Sequence, residues 1–82
     1  MNNKTIDIGG SCYVEANRIS VICPADIAFS KRNIKFLQQF EVTDATCGQK
    51  TRSVIFTQES HAYKSSLTPE TIAGLIETDP ED

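Results

Sequence analysis

The apolar residues of this chain occur in short runs that are each closed by a turn residue, and this pattern limits what the chain can fold into. Six segments of five to seven residues carry the alternation or the β-branched content that is typical of strands. They are residues 4–8, 12–16, 18–23, 41–47, 51–57 and 61–66. Such segments predict a small β-sheet of about five to six short strands.

Tight turns separate these strands and predict antiparallel pairing. Gly9-Gly10-Ser11 and Ala16-Asn17 follow the first two segments, which favours a three-strand meander. Gly48-Gln49 predicts a hairpin between the fourth and fifth strands, with a cross-hairpin pair between Asp44 and Arg52 as one option. Glu59-Ser60 predicts a second hairpin.

Two segments have helical spacing instead. From Asp26 to Phe40 the apolar residues repeat as on one helix face, with Asp26 or Ser30 as N-cap. A second helix begins after Thr68, an N-cap followed by Pro69 and Glu70. The predicted fold is therefore α+β, a small antiparallel sheet with two helices. The residues expected in the core or in a subunit interface are Ile34, Leu37, Ile55, Phe56, Ile72 and Leu75.

A chain of 82 residues is expected to form one domain, which we place at residues 1–77, followed by a disordered acidic tail at 78–82. A domain of this size buries only about 60–65% of its unfolded surface, so its core is marginal in isolation. Oligomerisation is the expected source of additional buried surface.

The sequence carries no recognisable catalytic constellation, and we expect neither an enzyme nor a cofactor. Cys12, Cys23 and Cys47 are an odd number without close spacing, and His61 is the only histidine. Small apolar fillers are the expected role of the cysteines; a metal-bound or redox-sensing use is a distant alternative. Without a signal peptide or a long apolar run, reduced thiols in the cytoplasm and no membrane partner are expected.

The net charge of −3 conceals a basic centre. Between residues 17 and 52 six cations face three anions, whereas five acids lie in the last thirteen residues. The six cations are Arg18, Lys31, Arg32, Lys35, Lys50 and Arg52. They could serve solubility alone or bind an anion, and the residues by themselves leave both options open.

Several short segments, in order, resemble the RemA-type family of regulators of extracellular-matrix (biofilm) genes. They are "IDIG" at 6–9, "ANRIS.I" at 16–22, Pro24, "KR" at 31–32, "DATCG" at 44–48, "TR" at 51–52 and "LTPETIA" at 67–73. The resemblance extends from about Ile6 to Ile76. It implies a cytoplasmic, nucleoid-associated protein that binds duplex DNA, has a LytTR-like α+β subunit and assembles into a closed homo-oligomeric ring, with an octamer as the expected size.

The resemblance also implies a set of DNA-contacting residues. Arg18 matches the family arginine after the Ala-Asn corner, and Arg52 matches the last arginine of the Gly-Arg-Arg-Thr-Arg segment. Gln49 and Lys50 stand where that segment has its first two arginines, so one charge is lost and one bidentate fork becomes a point charge. Lys31 and Arg32 complete the candidate set. The alternative is a protein-binding scaffold of the same fold with weak or no affinity for DNA.

Overall fold

The computed structural model describes residues 4–77, so the acidic tail predicted at 78–82 lies outside the described residues. Its elements alternate strands with short helices. In chain order they are β1 (Thr5–Gly9), β2 (Cys12–Glu15), a 3₁₀ helix (Ala16–Arg18), β3 (Ile19–Pro24), α1 (Ala25–Ala28), α2 (Ile34–Leu37), β4 (Glu41–Asp44), β5 (Ser53–Thr57), β6 (His61–Ser65) and α3 (Pro69–Glu77). The fold class is α+β, as predicted.

The strands form two sheets rather than one. β1 and β2 make an antiparallel hairpin, and the other strands form a four-stranded sheet in the order β3-β5-β6-β4. The predicted three-strand meander is therefore wrong, because the 3₁₀ turn Ala16–Arg18 redirects the chain and β3 pairs with β5 instead of β2.

The second sheet is mixed, which corrects the prediction of purely antiparallel strands. β4 runs parallel to β6, with Glu41 opposite His61 and Asp44 opposite Lys64. The β4–β5 hairpin predicted at Gly48-Gln49 is likewise wrong, since β6 lies between these two strands. Residues 45–52 form a loop that passes over the end of β6, where Lys64 and Ser65 accept backbone hydrogen bonds from its two ends.

The single helix predicted for 26–40 is replaced by two helices of one turn each. The hydroxyl of Ser30 and the side-chain amide of Asn33 both donate to the carbonyl oxygen of Ile27, at 2.8 and 3.0 Å. Side chains that bond to nearby carbonyl groups compete with helix continuation. The chain consequently turns between Phe29 and Asn33 before it becomes helical again.

The four-stranded sheet is covered on both faces. On one face Ile55 packs with Ile6, Ile8, Val14, Ala45 and Ile72, and on the other Val54 packs with Ala28, Leu37, Phe56 and Ala62. Of the residues predicted for core or interface, Leu37, Ile55, Phe56 and Ile72 are buried and Ile34 is half-buried. Leu75 is 38% exposed and lies outside the core.

Helix α3 starts as predicted. The hydroxyl of Thr68 accepts a hydrogen bond from the backbone N–H of Thr71 at 3.2 Å, which satisfies one of the unpaired donors of the first turn. At the other end the ammonium group of Lys4 donates to the carbonyls of Leu75 and Ile76, both at 3.0 Å. A cation there complements the negative end of the helix dipole. These contacts attach α3 to the start of β1.

Candidate nucleic-acid interface

The loop at 45–52 carries three of the predicted contact residues, and its shape is set locally. The Asp44 carboxylate accepts hydrogen bonds from the backbone N–H of Thr46 at 2.9 Å and from its hydroxyl at 2.6 Å. Cys47 and Gly48 follow with φ of 53° and 83°, a left-handed pair that reverses the chain. The N–H of Gln49 then returns to the Thr46 carbonyl at 3.0 Å.

Asp44 serves this loop and does not pair with Arg52. The hydrogen bonds from the Thr46 side chain and backbone lower the pKa of Asp44, with a smaller contribution from the charge of Lys64. Since β4 and β5 are not neighbours, the cross-hairpin pair between Asp44 and Arg52 is wrong.

Lys50 and Arg52 are exposed and lie at one groove of about 360 Å³. Among the described residues neither forms an ion pair. The backbone of Arg52 is nevertheless held on both sides, because its N–H donates to Ser65 and its carbonyl accepts from Ala25. Two unpaired cations are thus mounted on a fixed backbone at the end of the sheet.

The same groove includes two acids and a helix start. Asp26 from α1 and Glu70 from α3 line it, together with Thr68 and Pro69 at the first turn of α3. Sequence reasoning missed Asp26 and Glu70 as neighbours of Lys50, because they lie about twenty residues away on either side. Only the fold brings the three segments together.

Arg18 lies at the opposite end of the sheet. It precedes β3, whose first residue Ile19 pairs with Thr57, whereas Arg52 contacts Ala25 beyond the other end of β3. At about 3.3 Å per residue, the two ends are separated by roughly 20 Å. The structure therefore does not bring Arg18 and Lys50 together within one subunit.

The Arg18 guanidinium is also engaged by acids. Its Nε donates to the carboxylate of Glu15 and its NH1 donates to that of Glu59. All three side chains are about half exposed. Sequence reasoning left this cation without a partner. Glu15 could have been found, because it precedes Arg18 by only three residues, whereas nothing in the sequence points to Glu59.

Lys31 and Arg32 occupy the turn between α1 and α2 rather than a helix face, and both are exposed. Neither lines the groove that holds Lys50 and Arg52. The candidate cations thus form three separate groups on one subunit: Arg18, the α1–α2 turn and the 45–52 loop.

The residues considered for catalysis or metal binding are dispersed. His61 shares a hydrogen bond of 2.7 Å between its Nε2 and the Thr43 hydroxyl, and its ring centroid lies 4.7 Å from that of Tyr63, with the two rings tilted by 35°. Within residues 4–77 no three side chains of the metal-binding types come together. Burial raises the pKa of Cys23, and the nearby charge of Asp26 raises it further, so its thiol stays protonated at neutral pH.

Comparison with known proteins assigns the chain to a family. The profile described as "RemA-like: Extracellular matrix regulatory protein A-like" matches residues 5–75. The chain belongs to the RemA-like family. The match covers every strand, and the cations at 18, 31–32 and 50–52 all fall inside it.

Relatives of this RemA-like chain are named as regulatory proteins. One from Caldicellulosiruptor saccharolyticus is 39% identical over 82 residues, which is 99% of this chain and 81% of the relative. One from Gloeothece citriformis is 39% identical over 74 residues, which is 89% of this chain and 84% of the relative. One from Clostridium perfringens is 38% identical over 82 residues, which is 99% of this chain and 92% of the relative.

No helix within residues 4–77 is long and apolar enough to cross a membrane.

Proposed function

We propose that this RemA-like regulator binds the backbone of duplex DNA as a homo-oligomeric ring and controls extracellular-matrix (biofilm) genes from a cytoplasmic, nucleoid-associated position. The observation that carries the proposal is the exposed pair Lys50 and Arg52, cations without an ionic partner in the described chain, on a loop whose backbone is tied to the sheet. A phosphate group outside the protein supplies the missing partner.

The separation of Arg18 from Lys50 supports a head-to-tail arrangement of subunits. One subunit has a cation at each end of β3, roughly 20 Å apart. A head-to-tail contact brings the Arg18 end of one copy toward the Lys50 end of the next. Such heterologous contacts close into rings when the rotation between copies permits it. The rim of the ring then alternates the two cations.

Exposed apolar side chains support self-association. Val21, Phe56, Ala62 and Val42 form one row across the four strands on a single face of the sheet. The two inner residues are buried, but Val21 on one outer strand is 50% exposed and Val42 on the other is 41% exposed. Phe36 beside this row is also half exposed. Outer strands that present apolar side chains favour pairing with another chain.

Repetition of weak contacts then provides affinity. One subunit offers two or three cations, which bind DNA only weakly by themselves. In a ring of eight copies, Arg18, Lys50 and Arg52 supply on the order of twenty cations, and each contact after the first costs little additional entropy. Binding through phosphates is tolerant of sequence and falls steeply with salt, with preference for DNA that bends easily.

The test measures assembly and DNA binding together. Sedimentation of the native chain is expected to show a closed oligomer, and a promoter-length duplex is expected to bind at low salt and to dissociate as salt rises. Arg18→Ala combined with Lys50→Ala is expected to remove most of the affinity for DNA without changing the oligomer. Lys35→Ala, an exposed cation outside the candidate set, is the matched control and is expected to retain binding. A monomer, or an oligomer with no affinity at low salt, would reject the proposal.

One observation favours the scaffold function as a second candidate. Arg18 is already neutralised by Glu15 and Glu59, and the groove of Lys50 contains as many acids as cations. In this function the ring docks a protein partner instead of DNA. Salt-insensitive assembly with no uptake of duplex at any salt concentration would select this function over the first.

A further inference from the structure

The two cationic ends of the subunit differ in whether their cations already have ionic partners. Lys50 has no ionic partner among residues 4–77, whereas the Arg18 guanidinium is held by the carboxylates of Glu15 and Glu59. These two acids come from different parts of the fold. Glu15 ends β2, and Glu59 lies in the turn that joins β5 to β6.

The backbone fixes Arg18 and Glu59 as neighbours. The N–H of Gln58 donates to the carbonyl of Arg18 at 3.0 Å, and the side-chain amide of Gln58 donates to the carbonyl of Asn17 at 3.3 Å. Glu59 follows Gln58 directly, so its carboxylate starts from a position that is tied to the Arg18 backbone. The register of β3 against β5 therefore places Glu59 beside Arg18, and their ion pair does not depend on the side chains alone.

The donors of Arg18 are already engaged at this site. Its guanidinium lies between two carboxylates at a groove of about 420 Å³ that Glu15, Asn17, Arg18, Gln58 and Glu59 line. The Nε–H of Arg18 is occupied by Glu15, and an NH1 donor is occupied by Glu59. A phosphate oxygen that binds through Nε–H or through this NH1 donor must first displace a carboxylate, and one that approaches the other N–H donors of Arg18 meets the negative charge of the two carboxylates at short range.

We propose that Glu59 is a positioning residue that holds Arg18 away from nucleic acid until a phosphate backbone displaces it, and that it thereby limits the affinity of each subunit for DNA. The proposal rests on the DNA-binding function given above. Lys50 and Arg52 make the first contact, since no displacement is needed at their end. Arg18 engages only when that contact holds the duplex against the next subunit, because the local concentration of phosphate is then high.

The direct test replaces the charge of Glu59 while retaining its shape. In fluorescence anisotropy with a promoter-length duplex at low salt, Glu59→Gln is expected to bind tighter than the native protein by roughly threefold for each subunit that contacts the duplex, the range of an exposed ion pair. Glu77→Gln, which removes one charge at the exposed end of α3, is the matched control for net charge and is expected to give a smaller gain.

Two further variants separate positioning from a structural role. In the Arg18→Ala background the gain from Glu59→Gln is expected to fall to that of Glu77→Gln, since beyond its net charge Glu59 acts only through Arg18. Glu59→Asp retains the charge and is expected to keep native affinity within about twofold. A gain that equals that of Glu77→Gln in the native background, or one that still exceeds it without Arg18, would overturn the inference while the proposed function stands. Absence of binding by every variant at low salt would overturn the proposed function and this inference with it.

Discussion

The buried hydroxyl of Ser65 donates a hydrogen bond to the carbonyl oxygen of Ile8 at 2.6 Å, and this contact joins the four-stranded sheet to the β1–β2 hairpin. The Oγ of Ser65 also accepts a hydrogen bond from the backbone N–H of Leu67 at 3.1 Å. One side chain therefore connects three segments at the point where the chain leaves β6 for α3. Assembly of the subunit depends on this polar contact in addition to apolar burial.

Ser65→Ala is expected to destabilise the subunit by about 1–3 kcal/mol, because Ile8 loses a buried hydrogen-bond partner and Leu67 loses a half-buried one. The midpoint of urea unfolding measures this change. Ser66→Ala is the matched control, since the Ser66 hydroxyl makes no hydrogen bond within the described residues, and it is expected to change stability by less than about 0.5 kcal/mol. Equal effects of the two variants would contradict the assigned role of Ser65.

Gly10→Ala is expected to be among the most destabilising single changes in the loops. A Cβ at Gly10 would lie 2.5 Å from the Ala45 carbonyl oxygen, and φ there is +59°, so the variant pays for both a backbone clash and a left-handed conformation. Gly48→Ala separates the two costs, because φ is +83° but nothing lies within 4 Å. We expect Gly48→Ala to cost about 1–2 kcal/mol and Gly10→Ala clearly more in thermal unfolding. If the two variants lost similar amounts of stability, the backbone at Ala45 would have to shift to make room for a Cβ at Gly10.

Gln49→Arg is expected to strengthen DNA binding. The change adds a cation next to Lys50 on the same loop, and each added phosphate contact steepens the dependence of log affinity on log salt by about 0.9. Titrations at several salt concentrations measure both quantities. Gln39→Arg adds the same charge before β4, at the other end of that strand, and is expected to leave the slope nearly unchanged. An unchanged slope for Gln49→Arg would place the loop outside the interface.

Acid is expected to loosen the 45–52 loop. Hydrogen bonds from Thr46 lower the pKa of Asp44 in the folded protein, so the ionised carboxylate stabilises the turn above the ordinary aspartate pKa of about 3.9. This contribution is lost as the pH falls through the lowered pKa. The NMR shift of the Thr46 amide proton, followed below pH 5, measures the loss. Asp44→Asn is expected to remove the pH dependence, and a profile that the variant leaves intact would contradict the assignment.

Val21→Lys is expected to prevent self-association while the subunit stays folded. Val21 is half exposed on an outer strand, so a lysine there is solvated in the monomer but is buried without a partner in any contact that uses this strand. Sedimentation velocity and circular dichroism measure assembly and fold. Thr5→Lys, an exposed position on β1, is the matched control and is expected to assemble normally. Normal assembly by Val21→Lys would move the junction to another surface.

Sequence reasoning performed best where a signal is local. The Thr68-Pro69-Glu70 start of α3 follows from capping and dipole chemistry inside one turn, and the structure has the predicted N-cap bond. The burial of Ile55 and Phe56 follows from a continuous apolar run, which is typical of a strand covered on both faces, and that of Ile72 from helical spacing. Sequence reasoning failed for the helix at 26–40. The side chains of Ser30 and Asn33 donate hydrogen bonds to the Ile27 carbonyl and interrupt an otherwise helical pattern.

The amino-acid sequence by itself determined the α+β class, the start of α3, most of the core and the family, because each depends on residues that are close in the chain or on their order along it. Only the tertiary structure decided the pairing of the strands, the parallel β4–β6 contact and the surroundings of the cations. Glu59 reaches Arg18 and Asp26 reaches the groove of Lys50 through the register of strands that are distant in sequence. Strand partners are chosen by the burial of whole faces, a property of the assembled sheet that no single segment contains.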